Sequence, residues 1–216
     1  MKLAVFDCDG TLVDGQAPIC EAMEGTFAQF GLPAPDRNRI RRAVGLSLPQ
    51  AMRQLLPDET AEIHHGLADA YKQLFRQART EGRVSQPLFP GIADLLHALV
   101  DAGWTLGVAT GMSDRGLTHC LVENGVAGLF HTLQTADRHP SKPHPAMLEA
   151  ALFEAGAQPQ EAVMLGDTVY DMHMAVNAGT RAVGVDWGYH QPQELTEAGA
   201  EWVAHSPEAL RAHLLG

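Results

Sequence analysis

Apolar residues follow two rhythms along this chain, and the change between them divides it. Leu3, Ala4, Val5 and Phe6 are continuously apolar, the pattern of a strand buried on both faces of a parallel sheet. From about Pro87 onward, short apolar runs alternate with helix-like stretches. Residues 104–109, 162–165 and 181–185 read as further buried strands, and 202–204 as a short edge strand. Between them, helical spacing predicts helices over 92–102, 114–124, 145–155 and 169–178. Each ends near a glycine (Gly103, Gly125, Gly156, Gly179), where a left-handed C-cap belongs. Strands alternating with helices predict βαβ units, and so an α/β fold with a central parallel sheet covered on both faces.

The stretch 15–86 keeps another rhythm. Ala22, Met23, Thr26, Phe27 and Phe30 recur at helical spacing, as do Met52, Leu55 and Leu56, and then Leu67, Ala70, Tyr71, Leu74 and Phe75. Pro33, Pro35, Pro49 and Pro57 cut it into several short helices, and no strand is evident. The expected organisation is a core made of 1–14 and 87–216, with an all-helical subdomain, 15–86, inserted after the first strand. The joints are expected at Asp14-Gly15 and between Gln86-Pro87 and Pro90-Gly91.

Composition narrows the partners. A chain of 216 residues that is 45% apolar suits one mid-sized globular domain carrying an insertion. A formal charge of -11 disfavours nucleic acid and anionic membranes as partners. It also repels anionic substrates, so a phosphate site here needs a metal and local cations. Cys8, Cys20 and Cys120 are odd in number without CxxC spacing, and read as reduced thiols of a cytoplasmic protein. No signal-peptide pattern precedes the first strand, and no apolar run reaches membrane-spanning length.

The acids at strand ends carry the candidate chemistry. Asp7 and Asp9 follow the first strand and share a side, while Cys8 faces away toward the sheet. In open α/β sheets, ligands bind beyond the carboxyl ends of strands. Two carboxylates held together there require a cation or a shared proton. Asp7 is a candidate nucleophile and Asp9 a candidate acid and base. Thr110 and Gly111 end the second strand and could give a hydroxyl and backbone N–H groups to phosphate oxygens; taken alone, Thr110 reads more readily as an ordinary strand-to-helix N-cap. Lys142 lies in the proline-rich loop HPSKPHP, which restricts where its ammonium can go. Asp167 ends another strand, and Asp171 follows one helical turn later on the same side. With Asp7 they form an oxygen-rich set suited to Mg²⁺. The 11 histidines show no HxH or HExxH spacing, which argues against zinc. His64 and His65 are expected on an exposed helix face.

The string DCDGTLVD resembles the first motif of the haloacid dehalogenase superfamily. Thr110, Lys142 and GDTVYDMHMAVNAG then match its later motifs in order, so the resemblance spans nearly the whole chain. It implies a three-layer Rossmann-like core and a small helical cap, as in relatives resembling phosphoglycolate phosphatase and β-phosphoglucomutase. It also implies that Asp7 is nucleophile and metal ligand, and that Asp9 is acid/base and lends a backbone carbonyl to Mg²⁺. Thr110 and Lys142 would bind phosphate. Asp167 would ligate the metal, and Asp171 would do so directly or through water.

Within that family, an acid at position 9 fits phosphate-ester chemistry, and Thr11 fits phosphatases where the sugar mutases usually carry valine. No histidine stands near Ile19, where those mutases place one. The expected activity is hydrolysis of a small phosphorylated metabolite; a phosphomutase and a noncatalytic phospho-ligand-binding regulator are the alternatives. WGYH at 187–190 also resembles a segment of the phosphoglycolate-type phosphatases. In capped relatives, a glycine-containing turn at the level of Gly45 faces the active site, which makes Arg41, Arg42 and Gly45 candidates for substrate specificity.

Overall fold

The computed structural model describes residues 2–216. Six strands, β1 (Leu3–Phe6), β2 (Thr105–Thr110), β3 (Phe130–Thr135), β4 (Ala162–Gly166), β5 (Arg181–Val185) and β6 (Trp202–Ala204), form one sheet in the order β3-β2-β1-β4-β5-β6. All neighbours run parallel. The chain builds outward from β1 on one side, then returns to lay β4 against its other side. Strand order therefore reverses at β1, the position where such sheets open a crevice at their carboxyl ends.

Alternation along the strands explains the three layers. Ala4 and Phe6 face one side, with Leu106, Val108 and Leu165. They pack beneath α5 (Ile92–Asp101), α6 (Asp114–Glu123) and α10 (Pro207–Leu215). Leu3 and Val5 face the other, beneath α7 (Ala146–Ala155), α8 (Val169–Ala178) and α9 (Pro192–Glu197). The glycines expected to end helices do so with φ of +81° at Gly103, +70° at Gly125, +67° at Gly156 and +69° at Gly179.

β3 was invisible in the hydrophobic pattern, because FHTLQT offers only Phe130 and Leu133 as apolar residues. Its Thr132, Gln134 and Thr135 are nonetheless buried, satisfied by side-chain bonds such as Thr135 Oγ1 to Asp114 Oδ1 at 2.7 Å. A strand that buries hydrogen-bonded polar groups leaves no apolar signature. The short helices α9 and α10 also escaped the pattern.

Between β1 and α5 lie four helices, α1 (Gln16–Gln29), α2 (Arg37–Ala43), α3 (Leu48–Leu55) and α4 (Ala61–Thr80). They share a hydrophobic cluster of their own, centred on Met23, Phe27, Ile40, Met52 and Leu67. The outgoing and returning chains meet where Asp14 N donates to Pro87 O at 2.9 Å. His64 corrects the expectation of exposure: it is buried, with Nε2 2.7 Å from Leu56 O, whereas His65 is exposed. The reason is register, since His64 shares the inward stripe of α4 with Leu67, Ala68 and Tyr71. All three cysteines are buried free thiols. Among the described residues no helix is long and apolar enough to cross a membrane.

Candidate active site

β1 sets the floor of the site. Asp7 N extends the ladder by donating to Leu165 O at 2.8 Å, which fixes Asp7 level with the end of β4. The Asp7 side chain is fully buried. Its Oδ1 accepts from Cys8 N at 2.6 Å and faces Lys142 Nζ at 2.9 Å, while Oδ2 is buried with no partner among the described residues. Burial pushes the Asp7 carboxyl up to about 7, against the lowering charge of Lys142. The chain then turns tightly, with Leu12 and Val13 N–H both donating to Cys8 O. Gly10 takes φ +84° in that turn, and a Cβ there would lie 2.3 Å from Asp167 Oδ2, so only glycine fits.

Asp9 returns toward the same space. Its Oδ1 accepts from Gln86 Nε2 at 3.1 Å. Burial pushes its carboxyl up to about 6, opposed by the Gln86 hydrogen bond and by the charges of Lys142 and Arg79. A carboxyl in that range can exchange protons near neutrality.

Lys142 enters from the loop before α7 and is 1% exposed. Its Nζ lies 2.6 Å from Asp171 Oδ1 and 2.9 Å from Asp7 Oδ1. Burial favours the neutral amine, but the Asp171 and Asp7 carboxylates outweigh it and hold the ammonium above its ordinary range. Asp171 Oδ2 accepts from Thr168 N at 3.1 Å and Thr168 Oγ1 at 2.7 Å, so both its oxygens are engaged. Asp167 Oδ1 accepts from Thr11 Oγ1 at 2.8 Å, and Oδ2 from Tyr189 N at 2.9 Å. Burial first, then Asp7 and Asp171, push the Asp167 carboxyl well up. Oxygens of Asp7, Asp167 and Asp171 lie within 4.8 Å of one another. One ammonium cannot balance these acids and Asp9 when all are ionised, so the floor favours an added cation or retained protons.

Above this floor opens a cavity of about 790 Å³. Asp7, Asp9, Thr110 and Gly111 line it from below, and residues of α1 to α4 from above. Thr110 is buried, its Oγ1 accepting from Met112 N at 3.3 Å. A Cβ on Gly111 would lie 2.5 Å from Leu46 O and 2.8 Å from Gly45 O, so the roof's backbone rests directly on this glycine.

Gly45 lines the cavity, but Arg41 and Arg42 do not. Arg41 donates to Gln16 Oε1 and Asn38 Oδ1, at 3.1 and 2.8 Å. Arg42 forms a two-pronged pair with Glu194 on α9, at 2.6 and 3.0 Å. The inward face of the seven-residue α2 is taken by Ile40 and Ala43, which turns both arginines away. Pattern reading missed Gln86, the Asp9 partner, because it sits in a linker with no chemical motif. It also missed what WGYH does. Trp187 Nε1 donates to Thr11 O at 3.1 Å, and with Tyr189 N this segment holds the Asp167 turn in place. Arg79, at the end of α4, was likewise unread, although Lys72, Arg76 and Arg79 repeat along one helical face.

Known proteins resemble the chain along its length. The family model for haloacid dehalogenase-like hydrolases matches residues 4–185. A protein named "Probable phosphatase IndB" from Dickeya dadantii is 35% identical over 200 residues, covering 91% of this chain and 86% of that protein. A phosphoglycolate phosphatase from Vibrio vulnificus is 28% identical over 214 residues, covering 95% and 92% of the two. The crystal structure of a hydrolase from Pseudomonas syringae superposes with a TM-score of 0.85 at 26% identity, covering 99% of this chain and 98% of that one. With strand-end acids, a buried lysine and a roofed cavity in one α/β fold, this enzyme belongs to the haloacid dehalogenase-like hydrolase family.

Proposed function

We propose that this chain is a Mg²⁺-dependent phosphatase that hydrolyses a small phosphate monoester through an aspartyl-phosphate on Asp7. In this reading, residues 15–86 act as a cap over a catalytic core formed by 1–14 and 87–216. The observation that carries it is Asp7 Oδ2, a buried carboxylate oxygen without a partner in a cavity floor where Lys142 grips the other oxygen.

The donor set fits the metal. Three buried carboxylates with oxygens within 4.8 Å of one another form an oxygen-rich set that suits a hard divalent cation. Asp7, Asp167 and the Asp9 backbone carbonyl are the groups that would hold it, with Asp171 completing the set. When bound, the ion offsets the repulsion between the carboxylates and the incoming phosphate. The chain's own residues supply the rest. Asp7 Oδ2 attacks phosphorus as the ester oxygen leaves, and Asp9 gives that oxygen its proton. Asp9 then takes a proton from the water that releases phosphate from Asp7. Lys142, Thr110 and the N–H groups around Gly111 hold the phosphoryl oxygens. The roof keeps other water away while the Asp7 ester exists.

The relatives' names support a small substrate of the phosphoglycolate kind. The test is phosphate release from a panel of small esters, with and without Mg²⁺, beside Asp7→Asn. Release that requires both the metal and Asp7 is expected, with the variant at least about 10⁴-fold slower. Undiminished release from Asp7→Asn, or none from the folded, Mg²⁺-loaded chain on any ester, overturns the reading.

A further inference from the structure

The roof of the cavity carries positive charge that the hydrolytic chemistry does not use. Lys72, Arg76 and Arg79 sit at i, i+4 and i+7 on α4, and all three line the cavity. Arg79 stands apart from the others by its bonding. Its guanidinium lies over the Phe75 ring, 5.2 Å from the centroid, and one amino group donates to Gln86 Oε1 at 3.1 Å. Its Nε is buried and has no acceptor among the described residues. A buried guanidinium N–H without a partner is costly, and a fold tolerates one where an acceptor arrives with a ligand. Gln86, which holds Arg79, donates its own amide to Asp9 Oδ1 at 3.1 Å, so the guanidinium stands one side chain from the acid that faces the reacting phosphate.

We infer that Arg79 binds a second anionic group on the substrate, so that the preferred substrates are small phosphate monoesters carrying a carboxylate or another phosphate. The inference rests on the phosphatase reading above and adds the substrate class to it. A guanidinium held flat by Phe75 and fixed at one corner by Gln86 presents its remaining N–H groups as a fork, the geometry that matches a planar carboxylate or a phosphate. The acids of the floor would repel that second group, and Arg79 lies on the opposite wall. Arg41 and Arg42 cannot serve, because their guanidinium groups are bonded outside the cavity.

The experiment compares esters matched in carbon skeleton, with and without a carboxylate: phosphoglycolate against ethyl phosphate, and 3-phosphoglycerate against glycerol 3-phosphate. Wild-type, Arg79→Gln and Arg79→Lys full-length proteins are assayed with Mg²⁺, and the readout is the ratio of kcat/KM within each pair. Wild type should favour the carboxylate member. Arg79→Gln should lower the ratio about 10- to 100-fold, mainly through KM. Arg79→Lys should recover part of it, since it keeps the charge but loses the fork; it also carries the test if the glutamine variant does not fold. A ratio that stays within twofold in the variants overturns the inference, and so does an equal kcat loss on both members, which marks Arg79 as a mere prop for Gln86 and Asp9. Wild-type hydrolysis of all four esters with no preference also overturns it while leaving the phosphatase reading intact. Failure on all four, and on every other ester, removes both.

Discussion

On the floor of the cavity, strand register places the acids that follow β1 and β4; on the roof, the charged groups hang from a helix face that no register controls. Asp7, Thr110 and Asp167 stand at the ends of three adjacent strands, aligned because Phe6 pairs with both Val108 and Leu165. Their burial then forces an exchange of partners: Lys142 with Asp7 and Asp171, and Asp167 with Thr11 and Tyr189 N. The roof is held differently. Its helices share their own hydrophobic cluster and touch the sheet half through exposed or half-exposed bonds. Arg42 pairs with Glu194, Tyr170 donates to Arg42 O at 3.0 Å, and Ser47 N donates to Ser141 Oγ at 2.9 Å. The difference teaches that the candidate reacting groups are tied to the sheet and to one another by buried bonds, whereas the groups proposed to recognise the rest of a substrate belong to a layer joined to the sheet half by more exposed ones.

That contrast can be broken most directly at Lys142. Lys142→Met leaves Asp7 and Asp171 buried without their counter-charge, so stability should fall by about 3–5 kcal/mol. Phosphate release should slow by roughly 10²- to 10³-fold. Urea denaturation and steady-state kinetics read the two effects, and a variant as stable as wild type would mean that the floor is not organised around this ammonium.

Phe27→Ala probes the roof. Phe27 is 1% exposed, and its truncation should cost about 3–5 kcal/mol. All three tryptophans, Trp104, Trp187 and Trp202, lie outside the roof helices, so their fluorescence reports the sheet half alone. The variant should lose helical circular dichroism at a lower urea concentration than it loses the tryptophan signal. Coincident transitions would show that the roof and the floor unfold as one unit.

The smallest effect is expected at Arg42→Ala. The Arg42–Glu194 side chains are 44% and 33% exposed, and solvent-screened pairs of this kind contribute about 0–1 kcal/mol. A thermal-unfolding change beyond that range would place the contact among the organising bonds of the site.

The floor was legible in the chain because its signals are local. An apolar run followed by Asp-x-Asp, a strand-ending Gly-Asp and a proline-bound lysine each keep chemistry within a few residues of a recognisable element. The same logic found five of the six strands. It failed at β3, where buried Thr132 and Gln134 are satisfied by hydrogen bonds rather than by hydrophobicity. It failed again at Gln86, whose importance lies in a bond to Asp9 across 77 residues.

By itself, then, the sequence determined the α/β alternation, the helical insertion pattern after β1, and the acids and lysine of the floor, since periodicity and turn chemistry act over a few residues. Only the tertiary structure decided which cations face the cavity. Arg41 and Arg42 look equally suited on paper, but the burial of Ile40 and Ala43 rotates them outward, while the inward stripe of α4 carries Arg79 over the floor. Helix rotation is set by packing between distant segments, and no short stretch of chain encodes it alone.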